Sequence, residues 1–295
     1  MSECLPFWRS LLFIPANNEK FVAKAHTRGA DAIILDLEDS IAPEQKDSAR
    51  NGLAAAVRVI ANNQTDVVVR INSDTIEADV LAACLSDVSA LIIPKVSSAE
   101  SLINVDAMLS RCEEKSGLTS GSIRLIGQIE DVRALDKLDE IAQSVPRLMA
   151  LSLGSEDFST SAHMSPTRET LYWPNLQVAF ACRKAGILPL GFPDSITLIE
   201  DKEAMETAAK LAVDMGMVGA FCIHPKQVEI LNRAMTPSEQ TITEAEHLVE
   251  EFEKSQRSGT GVFVMNGKMV DLPVVQRAKN VLAIAQRIAA SVQQY

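Results

Sequence analysis

The sequence predicts an α/β fold, a (β/α)8 TIM barrel carrying a C-terminal helical and hairpin lid extension. Three observations lead there. Short apolar runs alternate with longer amphipathic stretches. The repeat is roughly 30 residues, the size of one strand–helix–strand step, and a barrel of eight such steps has a usual length of about 250 residues. No GxGxxG or GxxxxGK[ST] loop follows any run, which leaves an open doubly wound sheet without support.

The runs are RSLLFIPA from Arg9, AIILDLED from Ala32, DVVVRIN from Asp66 and ALIIPKV from Ala90, then IRLIGQIED from Ile123, LMALSLGSED from Leu148, ILPLGFPD from Ile187 and GAFCIHP from Gly219. Most are apolar at successive positions, as strands buried on both faces should be. Between them, EAMETAAKLAVDMG places Ala204, Ala208, Leu211 and Met215 at helical spacing and stops at Gly216. The eighth unit ends near Ala234. MTPSEQ then breaks the pattern and offers Thr236 or Ser238 as a helix cap. TITEAEHLVEEFEKSQ reads as an amphipathic helix and RSGTG as a flexible joint. MNGKMVDLPVV carries a turn signal, Asn266-Gly267, and one acid, Asp271, before Pro273, which is expected to start the final helix. The expected division is a barrel over residues 1-235 and an extension over 236-295.

Composition narrows the function. Hydrophobic residues make up 47% and charged residues 23%, ordinary for a soluble globular chain. The net charge, 28 − 39 = −11, argues against a nucleic-acid partner. The five cysteines, Cys4, Cys84, Cys112, Cys182 and Cys222, have neither zinc-site nor disulfide spacing, so reduced thiols in the cytoplasm are expected. No signal peptide and no run of membrane-spanning length is recognisable, and no membrane partner is expected.

Barrel active sites sit at the C-terminal ends of the strands. The residues expected to converge there are Asp36, Glu38 and Asp39; Arg70 and Asn72; Lys95; Gln128, Glu130 and Asp131; Ser155, Glu156 and Asp157; and His224. Arg9 opens the first run and is expected at the opposite end. Crowded carboxylates repel, and protonation or a divalent cation relieves them. Oxygen ligands favour Mg²⁺ or Mn²⁺ over zinc. Helix capping is the expectation for Asp39 and Asp131. Metal binding is the expectation for Glu130 and Asp157, because each ends an apolar strand where an unpaired charge is costly. Arg70 can grip a substrate carboxylate or pair with a rim acid such as Asp36. Lys95 reads as a lysine balancing the rim acids ahead of a Schiff-base amine. For His224 an acid–base role and a structural one both stand. Ser152, Ser155 and Ser159 lack a GxSxG elbow, so serine hydrolysis is set aside.

The order of RSLLFIPANNEKFVAKAHTRGADAIILDLEDSIAPEQKDSAR, VVVRIN, LIIPKV, IGQIED, LSLGSEDFS, FCIHPKQVEILN, MTPS and NGKMVDLPVVQRA resembles the citrate lyase β-subunit-like proteins of the HpcH/HpaI aldolase superfamily, with malyl-CoA and citramalyl-CoA lyases among them. The resemblance implies a Mg²⁺-dependent barrel that makes or breaks a C–C bond beside a CoA thioester, with an α-oxo acid as the other partner. It implies Glu130 and Asp157 as metal ligands, with Glu130 also at the substrate, Arg70 as the oxo-acid holder and Asp271 as the catalytic acid–base residue. It further implies a homo-oligomer, trimer or hexamer, in which the extension covers a neighbouring subunit's site. Two departures stand out. Glu130-Asp131-Val132-Arg133-Ala134 replaces the common E-T-A-x-G, and Pro15-Ala16 replaces Pro-Gly. Two other readings are carried alongside: a metal-dependent aldolase acting on a free hydroxy-oxo acid without CoA, and a non-catalytic binding subunit.

Overall fold

The computed structural model describes residues 5–257, 263–265 and 268–293. The chain divides into two compact units, Met1–Met235 and Thr236–Tyr295.

The first unit is built on eight parallel strands: β1 Ser10–Pro15, β2 Ala32–Asp36, β3 Asp66–Arg70, β4 Val88–Ile93, β5 Arg124–Ile129, β6 Leu148–Leu153, β7 Leu188–Leu190 and β8 Ala220–Cys222. They hydrogen-bond in sequence order, with β8 beside β1. A bridge between Leu190 and Gly219 closes the ring, with Val218 N–H donating to Pro189 O and Gly191 N–H to Gly219 O. The sequence therefore folds as a (β/α)8 barrel. Its helices are α1 Glu19–Val22, α2 Lys46–Ala61, α3 Ile76–Ala83, α4 Ala99–Ser116, α5 Leu138–Ala142, α6 Ser155–Ser161, α7 Arg168–Ala185, α8 Lys202–Asp214 and α9 Pro225–Ala234.

Strand alternation sorts the side chains into two cores. Leu11, Ala32, Ile34, Val68, Ala90, Ile92, Ile126, Ala150, Leu190 and Phe221 fill the barrel interior. Ile33, Leu35, Val67, Val69, Leu91, Leu125, Leu151 and Leu153 face the helices. This double burial is why the strands read as continuous apolar runs. At the N-terminal end, Arg9 pairs with Asp31 at 2.7 Å. Arg147 there bonds to Asp106 and, at 3.1 Å, to Glu113.

Two local expectations are corrected. In α8 the buried stripe is Met205, Ala208, Ala209 and Ala212, not Ala204, Ala208, Leu211 and Met215. The helix carries two overlapping stripes at helical spacing, and the one packed inward holds three alanines where the other holds two. Asp157 does not end a strand: β6 stops at Leu153, and Asp157 lies in the first turn of α6.

In the second unit, Ser238 caps α10, Glu239–Arg257, by accepting from Thr241 N–H at 3.1 Å. Strands β9 Phe263–Met265 and β10 Lys268–Val270 pair antiparallel as a hairpin. The expected turn, Asn266-Gly267, lies outside the described residues. The last helix, α11 Leu272–Gln293, begins one residue before Pro273. Phe252, Val270 and Val275 form this unit's own small core. Among the described residues, no helix is long and apolar enough to cross a membrane.

Closure of the barrel depends on Gly219, where an added Cβ would meet the Trp8 carbonyl oxygen at 1.8 Å. Backbone cannot yield there as a flexible side chain could. Gly219→Ala is expected to destabilise the protein by about 3 kcal/mol or more, read as a shifted denaturant midpoint. A wild-type midpoint would contradict this view of how the barrel closes.

Candidate active site

The inward register of the strands continues upward into polar residues. Asp36 follows Ala32 and Ile34 on β2, Arg70 follows Val68 on β3, Gln128 follows Ile126 on β5, and Ser152 follows Ala150 on β6. Above the apolar interior these residues line a cavity of about 800 Å³, together with Phe13, Asp157 and His224. The size suits a small molecule.

One wall is a chain of charges. Arg70 donates from Nε and Nη2 to Asp36 at 2.7 and 2.8 Å, a bidentate buried pair. Its Nη1 donates to Asp39 at 3.0 Å. Glu38 Oε2 lies 3.2 Å from Nη1 without the alignment of a hydrogen bond. The guanidinium also stacks over Phe13, 4.6 Å from the ring centre. Burial works against both members of the central pair. Their mutual bonds nevertheless hold Asp36 below the usual carboxylate range and Arg70 above its ordinary value. Asp39 is thus a partner of Arg70, and Asp36, expected at the rim, is buried beneath it.

The β3 end is fixed from behind. Buried Asp79 accepts from the backbone and side-chain N–H of Asn72, each at 2.7 Å, and from Arg50 Nε at 2.7 Å. Asn72 also donates to Leu37 O at 2.8 Å, locking the ends of β2 and β3 together.

Glu38 links this wall to Glu130. Lys95 Nζ donates to Glu38 Oε1 at 3.0 Å, while the Lys95 backbone N–H donates to Glu130 Oε2 at 2.9 Å. Lys95 adopts a left-handed φ of 55°, an uncommon conformation for a residue with a side chain. Its bond to Glu38 holds the ammonium above its ordinary pKa. That favours the charged, balancing lysine over a Schiff-base amine.

Glu130 is 4% exposed, and its Oε1 has no hydrogen-bond partner. Burial first, then the charges of Glu38 and Asp157, push its carboxyl up to about 8. Gly154 makes room for it: a Cβ there would come within 2.7 Å of Glu130 Cγ and 3.0 Å of Oε1. Asp157 faces the cavity from α6, exposed, and accepts no hydrogen bond among the described residues. The desolvation argument for a metal therefore holds for Glu130 and not for Asp157, whose availability is what counts. Among the described residues no group of three or more His, Cys, Asp or Glu is placed to hold a metal by itself. Two carboxylates with an orphaned, buried oxygen still fit Mg²⁺, which keeps several waters and takes ligand oxygens.

The other candidates divide. Asp131 caps a short helix, accepting from Arg133 N–H at 2.8 Å. His224 lines the cavity but caps α9, its Nδ1 accepting from Lys226 N–H at 3.2 Å. Asp271 caps α11, its Oδ1 accepting from Val274 N–H at 3.3 Å. Several supports were not singled out from the sequence. Ser195 Oγ donates to Glu156 at 2.6 Å, tying the loop after β7 to α6. Gln227 Nε2 donates to Ile196 O at 2.8 Å and its Oε1 accepts from Ile223 N–H at 2.9 Å, tying that loop to β8. Ser195 and Gln227 are isolated polar residues in separate segments, and neither carries a spacing signal that would have revealed it.

The raised Glu130 carboxyl sets a pH dependence. Between about 4.5 and about 8 the unfolded chain gives up this proton while the folded one keeps it. With a chelator present, stability should therefore fall across that window, by roughly 4 kcal/mol between pH 5 and 8 relative to Glu130→Gln. Thermal unfolding of both proteins from pH 5 to 8 checks it. Parallel curves would mean that Glu130 is not held neutral.

A family model described as HpcH/HpaI aldolase/citrate lyase matches residues 9–225. The citrate lyase subunit beta of Leuconostoc mesenteroides subsp. cremoris is 31% identical, covering 94% of this chain and 93% of its own. The L-malyl-CoA/beta-methylmalyl-CoA lyase of Cereibacter sphaeroides is 33% identical, covering 96% of each. Protein CitE from Mycobacterium tuberculosis, solved in complex with magnesium, acetoacetate and coenzyme A, superposes with a TM-score of 0.75 at 26% identity, over 96% of this chain and 99% of its own. With eight closed strands, a carboxylate-lined mouth and matches along nearly its whole length, the chain belongs to the HpcH/HpaI aldolase/citrate lyase family.

Proposed function

We propose that this lyase cleaves, or in reverse forms, a β-hydroxyacyl-CoA thioester that bears a carboxylate beside its hydroxyl. The products are an α-oxo acid and acetyl-CoA. Citramalyl-CoA, malyl-CoA and citryl-CoA belong to this class, with pyruvate, glyoxylate and oxaloacetate as their oxo acids. One observation carries the reading: Glu130 is buried with an unpartnered oxygen, its carboxyl pushed up to about 8, beside the uncommitted Asp157. The relatives named for malyl-CoA and citrate cleavage, and the neighbour holding magnesium with coenzyme A, support it.

Glu130 and Asp157 would hold Mg²⁺, or Mn²⁺, which when bound would polarise the substrate hydroxyl and its neighbouring carboxylate. The chain's own residues set the rest. Lys95 N–H fixes Glu130 Oε2 and leaves Oε1 turned to the ligand. Arg70 Nη1 neutralises the oxo-acid end. As the hydroxyl proton passes to solvent water, the adjacent C–C bond opens and its electron pair moves onto the thioester as an enolate. Asp271 then gives that α-carbon a proton, or removes it in the condensation direction. One of its oxygens is engaged in capping α11, and Oδ2 accepts no hydrogen bond among the described residues. In the family pattern Asp271 serves a neighbouring subunit, so the working form is a homo-oligomer, a trimer or hexamer. Free buried thiols at Cys84, Cys182 and Cys222 support a cytoplasmic setting.

Asp271→Asn should lower kcat by about 10²–10⁴-fold while Mg²⁺ affinity, measured by calorimetry, stays within a factor of about two. Turnover at the wild-type rate would remove Asp271 from the mechanism. Glu130→Ala and Asp157→Ala should each weaken Mg²⁺ binding by about tenfold or more, and unchanged affinity in both would remove the metal site. Assaying CoA thioesters beside the corresponding free acids separates this reaction from a CoA-independent aldolase.

A further inference from the structure

Among the described residues, two polar side chains in the cavity wall make no side-chain hydrogen bond, and they have no part in the chemistry above. Gln128 is 7% exposed and Ser152 2%. Both line the cavity. Gln128 Oε1 is buried without a hydrogen bond, and no hydrogen bond to the rest of the Gln128 amide or to Ser152 Oγ is made among the described residues. They are register partners on β5 and β6, so they stand side by side in one layer of the barrel. The Gln128 amide reaches up from that layer to Glu130: its Nε2 and Glu130 Oε1 lie 2.9 and 3.0 Å from the point a Cβ at Gly154 would occupy. A compound held at Glu130 therefore meets the Gln128 amide beside the acid, with Ser152 next to Gln128 in the strand register.

We propose that Gln128 and Ser152 form a neutral polar subsite that reads the substituent on the oxo-acid portion of the substrate, and that the group it selects is a hydroxyl. The proposal rests on the lyase reading above. A hydroxyl both donates and accepts, and the pair offers a free amide acceptor and a free hydroxyl donor. A methyl group there would shut water out and leave both polar groups unpaired, a cost of about 1–3 kcal/mol for each. A second carboxylate would be no better placed. Arg70 keeps its buried edge on Asp36 and gives its Nη1 to the oxo-acid carboxylate already counted, Lys95 is bonded to Glu38, and the acid beside the subsite is Glu130. Sites built to hydrogen-bond a hydroxyl discriminate against analogues lacking it far more strongly than apolar pockets discriminate by one carbon.

The test uses the full-length protein with Mg²⁺ and titrates two oxo acids by calorimetry: pyruvate, ending in a methyl, and hydroxypyruvate, ending in a hydroxymethyl. Wild type should bind hydroxypyruvate about tenfold more tightly or better. In Gln128→Met and Ser152→Ala the ratio of the two dissociation constants should collapse toward one. Equal affinities in wild type overturn the subsite, as does a preference that survives in both variants. A preference for pyruvate with Mg²⁺-dependent binding of both acids sinks the subsite and leaves the lyase reading standing. If neither acid binds while Mg²⁺ does, the lyase reading fails and the subsite fails with it.

Discussion

The structure turns on a surplus of buried negative charge at one end of a closed barrel. Asp36, Glu38 and Glu130 are each almost wholly shielded from water. Arg70 and Lys95 are the cations bonded among them, and the Lys95 side chain is half exposed. Three acids against two bases leave one charge uncompensated in a medium where a bare carboxylate is costly. The imbalance does not spread evenly. Asp36, with two bonds from Arg70 and two from backbone N–H groups, keeps its charge. Glu38, with Lys95 and a poorly aligned Arg70, is pushed up by burial despite both. Glu130 has no side-chain cation bonded to it among the described residues, and burial with the charges of Glu38 and Asp157 outweighs the relief from Arg70 and the Lys95 N–H. A site that concentrates its unmet charge on one oxygen is already shaped for a cation.

The backbone is arranged around that concentration. Lys95 accepts a left-handed conformation, and in it the N–H is directed at Glu130. Gly154 omits the one carbon that would collide with the same side chain. The loop following β7 is laced to α6 through Ser195 and Glu156 and to β8 through Gln227, so the segment bearing Asp157 is braced from outside the barrel. These devices act at positions adjacent in space and distant in sequence, as expected when a closed sheet brings eight strand ends together.

That distance separates what could be read from the sequence and what could not. All eight strands were legible because each is buried on both faces, and continuous apolar runs follow directly from that. The concentration of acids at the strand ends was legible for the same reason, since each polar residue stands where its run stops. Pairings were not. Asp39 reads as a helix cap because its local sequence precedes a helix, yet its partner is Arg70, thirty-one residues away on the next strand. Asp157 reads as a strand end because SLGSED is continuous, yet the helix begins at Ser155. Gly219 and Gly154 fall within predicted strand runs and carry no mark of their own until the atoms that would meet a Cβ are known. The stripe on α8 was undecidable from periodicity, because small residues occupy both candidate faces.

The same charge chain resolves how Arg70 can serve structure and ligand together. Its bonds to Asp36 are buried, and breaking such a pair by removing one member costs about 3–5 kcal/mol. Its bond to Asp39 is of another kind, since the Asp39 side chain is 59% exposed and returns to water when released. Exposed pairs contribute about 0–1 kcal/mol. In the proposed reaction a ligand carboxylate would therefore replace Asp39 at Nη1 at small cost, leaving Asp36 in place to hold the guanidinium against Phe13. The ion-pair and substrate-binding readings of Arg70 then describe two edges of one group. Its buried edge fixes the orientation, and its cavity edge makes the exchange.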